Sequence, residues 1–558
     1  MSASEPLTGN LAVASESTTA HGWWTRAEGW LERAGDRLNP ILVKEARQAL
    51  KSKQFVMTFA LVLLASWFWS VGGMLWLGPD ANYRPTGQQM FFGYLVILGF
   101  PLIVVVPFGA FQSLSSERED RTFELLSIST LKPWQFISGK LASAMLQMLV
   151  YLSAVSPCLA FTYMLRGIDI LAILMMTGYV VLASLGFSAL ALLLATLTTE
   201  KHWQVVLSVL LILALMYCFM GGMATASQMT GEVWAFDDVW FWVANAGALS
   251  AYVSYLALVI AAAGAQLSFA SDNRSTKLRV IMLLQQALWI GWFCGLWLAW
   301  GMADASLYLF AAVPLLQWGA LGALMTGESP HLSRRVQRSL PQSFFGRAFL
   351  TWFNPGPGTG YLFVVANLAT IWLATLVAIV VMEDRGLGAL SFLTTRFPPS
   401  ANDQVERVFY FVTLGSLYVT LYLGLGRLLI GLARRFASTT LFLALLVNFL
   451  LLLGGTAMPM VIQFSQDPPV RDYTLWQSFN PFWTLGDVAA ARRTSHEAGT
   501  VLLIVGSATL LVFLLNLPQV IHEVQFVRVA KPRRVEEEDQ AAAAEHVPAA
   551  PVKTNPWD

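Results

Sequence analysis

Charge is what this sequence has least of. Asp, Glu, Lys and Arg make up 12% of its 558 residues, against about 25% in an ordinary soluble domain. With a mean hydropathy of +0.58, that scarcity excludes a water-soluble globular chain and points to a multi-span membrane protein. Cysteine is scarce too. Cys158, Cys218 and Cys294 all fall inside apolar runs, which excludes a disulfide framework and leaves small buried side chains. The six histidines show no pairing at ligand spacing, so no metal site is expected. His522-Glu523 begins like a zinc-protease motif, but Phe526 stands where the second His belongs. A phosphate-binding loop is missing: Gly139-Lys140 is followed by Leu141, and Trp134 occupies the position of the first Gly. No ATP, cofactor or catalytic residue is therefore expected in this chain. The net charge of +1 is spread over short loops and gives no reason to expect a nucleic acid partner. No signal peptide is visible, because the first ~20 residues are polar and rich in Ser, Thr and Ala.

What is present is a series of long apolar runs. A segment of ~20 apolar residues crosses the hydrocarbon core. Twelve are found: about 55–77, 90–113, 141–164, 170–197, 203–225, 248–270, 280–302, 306–326, 361–382, 408–432, 439–463 and 500–521. Lys and Arg orient them. With the N-terminus inside, the inner segments hold 27 of the 35 Lys and Arg, and the outer ones hold the other 8. Both termini are thus expected in the cytoplasm. No acidic residue lies in the middle of any run, so the relay that proton- or sodium-driven carriers keep in mid-membrane is missing. The polar groups there are the amides Gln147, Gln285, Gln286, Gln317, Asn367 and Asn448. They suit hydrogen bonding between helices or, alternatively, the lining of a substrate pathway.

The charges that remain are concentrated. Residues 115–140 sit between the second and third runs, and Glu117, Arg118, Glu119, Asp120, Arg121 and Glu124 fall within eight positions. Ser115 or Ser116 suits the cap of a helix with acids in its first turn. Phe123, Leu125 and Leu126 give that helix an apolar side, and Pro133 breaks the chain. A short amphipathic helix suits a groove on another protein; the bland alternative is a solvated loop. Before the first run, Asn39-Pro40 reads as a helix start. The helix that follows carries Lys44, Arg47 and Lys51 on one stripe, with Leu42, Ala46, Ala49 and Leu50 towards the other side. It is expected to lie against anionic lipid heads.

Glu117-Arg118-Glu119, then Thr122-Phe123-Glu124-Leu125-Leu126, Pro133 and Gly139-Lys140 resemble the signature of ABC-2 type transporter permeases. One departure is Arg121, where that family often has Gly. The resemblance covers roughly residues 38–272. It implies a coupling helix at 115–126 that docks on a separate ABC-type ATP-binding subunit, an elbow helix at 39–53, and a membrane subunit of an ATP-driven exporter in the plasma (inner) membrane. ATP hydrolysis would then belong to the partner.

The expected organisation is a cytoplasmic segment 1–54, a six-span permease half 55–272, a second six-span block 280–521 and a disordered cytoplasmic tail 522–558. The second block is either a diverged permease half, with 331–347 as a degenerate coupling element, or an accessory block. Two assemblies stay open: pairing of two permease chains, alike or different, or one twelve-span chain recruiting two ATPase subunits alone. The other function classes are a membrane-embedded enzyme acting on lipid or peptide, and a structural subunit of a membrane complex.

Overall fold

The structure, a computed structural model, describes residues 40–78, 85–119, 133–197, 200–231, 234–269, 271–300, 306–329, 332–338, 340–341, 343, 345–346, 350–382, 403–435, 441–465, 473–490, 495–525, 528–529 and 532–545. Among the described residues every regular element is helical. Twelve helices are long and apolar enough to cross a membrane, and the chain is an all-α multi-pass membrane protein. In hydrocarbon no water satisfies the backbone, so a spanning segment must close its own hydrogen bonds, which a helix does.

Helix α1 (Pro40–Leu50) precedes the first span, α2 (Lys53–Leu77). The second span runs through α3 (Gly87–Phe100), a π turn (Pro101–Val105) and α4 (Val106–Glu119). Spans three to eight are α5 (Pro133–Met164), α6 (Ile170–Ala195), α7 (Lys201–Gly231), α8 (Val239–Leu267), α9 (Thr276–Trp300) and α10 (Ser306–Met325). A short helix, α11 (Arg334–Arg338), leads to α12 (Pro357–Met382), α13 (Asp403–Ala433) and α14 (Leu441–Phe464). Then come the short α15 (Pro481–Ala489), the last span α16 (Ser495–Val524) and α17 (Arg533–Glu545). Each expected apolar run overlaps one of these spans. The chain forms two compact units: Met1–Phe241 with Val259–Leu267, and Trp242–Leu258 with Ser268–Asp558.

In the first unit the second span is the most buried, whereas α2 leaves Leu64, Trp67, Phe68 and Leu75 exposed, as a lipid-facing helix does. Pro101 explains the π turn. Its ring has no N–H to give and crowds the carbonyl four residues back, so the ladder must widen there. Ser184 of α6 donates its hydroxyl to the carbonyl of Leu102. Small residues of α6, among them Ser184, Ser188 and Ala191, are buried and let α4 approach closely. The turn from α5 to α6 is made by Arg166 and Gly167, both at positive φ, 63° and 90°.

The second unit is built around α13, which packs on α10, α12, α14, α15 and α16. Trp318, Tyr361, Phe363 and Leu423 fill one part of its core. At the end where α14 finishes, a 3₁₀ turn (Leu475–Phe479) and α15 fold back. They are held by Gln477 donating to Gln463 at 2.7 Å and Tyr418 donating to the Ser478 carbonyl at 2.6 Å. Trp476 and Phe482 stay exposed, as aromatic rings do at a membrane interface.

Three expectations are corrected. Residues 115–119 do not open a new helix capped by Ser115 or Ser116. They are the last turn of α4, and Ser116 bonds back to the Ser113 carbonyl at 3.2 Å. Pro133 does not break the chain into a loop: it is pre-shaped for a first helical turn and opens α5, which carries Lys140 into the fold. The tail is helical over Arg533–Glu545, where Ala and Glu are strong helix formers and Arg534 pairs with Glu538 at 3.1 Å. Residues 546–558 lie outside the described set.

The turn gives a first test. A Cβ on Gly167 would stand 2.7 Å from the Pro85 Cβ, and positive φ is costly for a β-branched residue. Gly167→Val is expected to cost about 1–3 kcal/mol, read as a lower melting temperature in detergent, with Gly167→Ala losing less.

Candidate functional site

The charged end of α4 is the candidate site. Successive residues of an α-helix point about 100° apart, so Glu117, Arg118 and Glu119 face three different neighbours. Glu117 faces α1 and α5. The Lys140 ammonium of α5, only 2% exposed, stands 3.0 Å from Glu117 and 3.1 Å from Glu45 of α1. It donates to the Ser113 hydroxyl at 2.6 Å, and Ser113 in turn donates to Glu45 at 3.0 Å. Lys44 reaches Glu117 from the outside at 3.3 Å and is itself 59% exposed. Two carboxylates and two ammonium groups thus balance, and the buried ammonium also lies 5.2 Å from the centre of the Phe136 ring.

Arg118 turns the other way and donates to the carbonyl of Ala195 at 3.1 Å. Ala195 is the last residue of α6, where the helix dipole presents negative charge and open carbonyls. Glu119 pairs at 2.5 Å with Lys201, the first residue of α7. That pair is exposed and worth less than about 1 kcal/mol. The end of the second span is therefore fastened to α1, α5, α6 and α7 by three consecutive side chains.

Of the coupling residues, Glu117, Arg118 and Glu119 are the ones placed here; Arg121, Thr122, Phe123, Glu124, Leu125 and Leu126 lie outside the described residues, as do His331 and Arg347. Lys44 and Arg47 of α1, and Lys51 just past its end, are exposed as the stripe requires. Glu45, on the same helix, is buried, and sequence reasoning passed over it. The available signal was a carboxylate inside an otherwise basic helix, matched by a lysine immediately ahead of the third apolar run.

Of the amides, Gln147 lines a cavity of the first unit, and the other five belong to the second. There Gln317 donates to Gln285 at 3.1 Å and accepts from Tyr255 at 3.1 Å. Gln286 accepts from Trp318 at 2.6 Å and donates to the Asn367 carbonyl at 3.3 Å. Asn448 donates to Thr326 at 3.1 Å. These are interhelical hydrogen bonds of the kind polar residues make in lipid.

The second unit has its own charged network, which sequence reasoning also missed. Arg279, fully buried, donates to Glu328 at 2.5 Å and to the carbonyls of Trp352 and Asn354 at 2.5 and 2.7 Å. Glu523, near the end of α16, accepts from the backbone N–H groups of Gly358 at 3.0 Å and Thr359 at 2.8 Å. It thereby caps the start of α12 from another helix. A Cβ on Gly356 or Gly358 would come within 3 Å of that carboxylate, so a side chain at either position would displace it from the N–H groups it accepts from. Arg434 donates to the Glu328 carbonyl at 2.5 Å. Burial lowers its pKa from the usual guanidinium value, and the charge of Glu523 acts the opposite way. The legible signal was the run Asn354-Pro355-Gly356-Pro357-Gly358-Thr359-Gly360, with turn formers packed at the start of a span.

No protein-family model, curated protein or solved structure matches this chain.

Two tests follow from the geometry. Lys140→Met strands Glu45 and Glu117 together and is expected to cost about 3–5 kcal/mol. Adding Glu45→Gln and Glu117→Gln is expected to return much of that loss in a thermal melt. Glu523→Ala leaves two N–H groups of α12 without an acceptor and is expected to cost about 1–2 kcal/mol, with faster amide exchange at Gly358 and Thr359.

Proposed function

We propose that this chain is the membrane-spanning permease subunit of an ATP-driven exporter of ABC-2 type. It resides in the plasma (inner) membrane and couples through residues 115–126 to a separate ATP-binding subunit. The observation that carries the reading is the three-way fastening by Glu117, Arg118 and Glu119. A push on the segment that follows Glu119 meets α1, α4, α5, α6 and α7 as one body, which is the mechanical requirement for rigid-body switching between inward- and outward-facing states. ATP hydrolysis takes place in the partner, and this chain transmits it.

The second unit supports a diverged second half. Spans eight, nine and ten (α10, α12, α13) pack on one another as spans two, three and four (α3–α4, α5, α6) do. Glu328 stands just past span eight, as Glu117 stands at the end of span two, and each is paired with a buried base. In this reading 331–347 takes the place of the coupling segment.

The test is purification in mild detergent from the native membrane. An ATP-binding subunit is expected to co-purify. Phe123→Asp with Leu126→Asp is expected to release it and to reduce vesicle ATPase activity to background while the melting temperature holds. A preparation with no such subunit, under conditions where other ABC complexes survive, would overturn the proposal.

A further inference from the structure

In the second unit, segments 271–279, 327–360 and 427–438 lie on one face of the membrane, because two spans separate each from the next. They hold nine Arg and one Lys against two acids, Asp272 and Glu328. Residues 522–558, on the same face, add five bases and seven acids, so an excess of six positive charges remains when that tail is counted. We propose that the basic face of α11 binds the phosphate of an anionic phospholipid in the leaflet on that side. The site does not depend on the transporter reading.

The acids near α11 are already engaged. Glu328 accepts from Arg279, from the Ser275 hydroxyl and from the Gly356 N–H. Asp272 faces two guanidinium groups: Arg335 at 2.7 Å, and Arg274, whose pKa burial lowers and the Asp272 charge raises. Glu523 caps α12 and has Arg434 beside it. Among the described residues, Lys277, Arg334, Arg338 and Arg435 stand without a carboxylate. No acid from further along the chain is at hand, since residues 329–382 contain neither Asp nor Glu.

The helix sorts these residues by side. Leu332, Val336 and Leu340 recur every fourth residue and are buried together. Arg334 and Arg338 lie on the other side, one turn apart along the axis and about 40° apart around it. Arg334 is exposed, and Arg338 is half-buried. The Arg338 Nε–H is out of water and finds no acceptor in the protein, a costly condition for a donor. A phosphate oxygen is the acceptor it lacks, and the guanidinium fork fits two such oxygens at once.

Depth favours a lipid over a phosphate free in water. Asp272, which holds Arg335, stands just ahead of α9, and Ser333 donates to the Ser271 carbonyl at 2.6 Å. Basic side chains at a span end stand at the level of the headgroups, where each is worth about fivefold in affinity for an anionic surface. Phe345 and Leu350, further along the same segment, are exposed, and apolar side chains of this size suit a bilayer interface. Residues 331–347 thus take the place of the coupling segment without its chemistry: they hold four Arg and no acid.

The experiment is native mass spectrometry of the full-length chain in maltoside micelles, with dioleoylphosphatidylglycerol and dioleoylphosphatidylcholine offered at equal concentration. The first phosphatidylglycerol is expected to bind at least fivefold more tightly than phosphatidylcholine. Arg334→Gln with Arg338→Gln is expected to weaken it about tenfold, with an unchanged melting temperature in the absence of lipid. Arg533→Gln with Arg534→Gln removes the same charge from α17 and is expected to leave binding as in the parent. Absence of a preference for phosphatidylglycerol, an equal loss in both double variants, or displacement of the lipid by inorganic phosphate would overturn the proposal. So would an Arg334→Gln, Arg338→Gln chain that keeps its lipid but no longer brings down an ATP-binding subunit, because α11 would then face a protein. No ATP-binding partner enters the lipid measurement, so its failure leaves the transporter reading intact.

Discussion

A lysine ammonium drawn out of water between two carboxylates is the constraint on which the first unit depends. Each charge alone costs several kcal/mol to bury. The three are tolerable because they are buried together, with Ser113 accepting from Lys140 and donating to Glu45. The groups come from α1, α4 and α5, so none of these helices can shift alone without exposing or orphaning a charge. Attraction in so dry a place is strong, and separation is correspondingly costly. The consequence is cooperative placement: a helix outside the spans, the end of the second span and the beginning of the third are set by one interaction.

The two units meet the same need with different chemistry. The first joins its helix ends mainly through side-chain charges. The second joins them mainly through the backbone, with Arg279 donating to carbonyls and Glu523 accepting from the N–H groups that open α12. Backbone recognition needs close approach, hence the glycines at 356 and 358. Side-chain recognition does not, and the start of α5 carries Pro133 and Trp134.

The twelve spans were legible because a run of ~20 apolar residues has few alternatives to a membrane helix. Their ends were less so, since hydropathy falls off before the helix does: α5 starts eight residues ahead of its expected run, at Pro133 rather than 141. The charged triplet 117–119 was legible as a concentration of charge, yet the direction of its helix was not. Ser-Ser followed by acids reads equally as the start of one helix or as the last turn of another, and the choice was made by the Ser113, Glu45 and Lys140 partners, up to 68 residues away in sequence. Glu45 and Glu523 were overlooked for the same reason, because local pattern carries no record of a partner on a different helix. The helix over Arg533–Glu545 was missed through the opposite bias: absence of apolar periodicity was read as absence of structure, although Ala and Glu form helices without it.

The π turn at Pro101–Val105 bears on how sequences of this kind are to be aligned. A π turn accommodates one extra residue while the helix on either side keeps its phase. A related chain shorter by one residue between 101 and 105 can therefore run as an ordinary α-helix and still point the counterparts of Glu117, Arg118 and Glu119 at the same neighbours. A gap of one residue anywhere else between Gly87 and Glu119 turns those three side chains by about 100° and detaches them all. The second span thus has one position at which its length is negotiable, and it is the position that proline created.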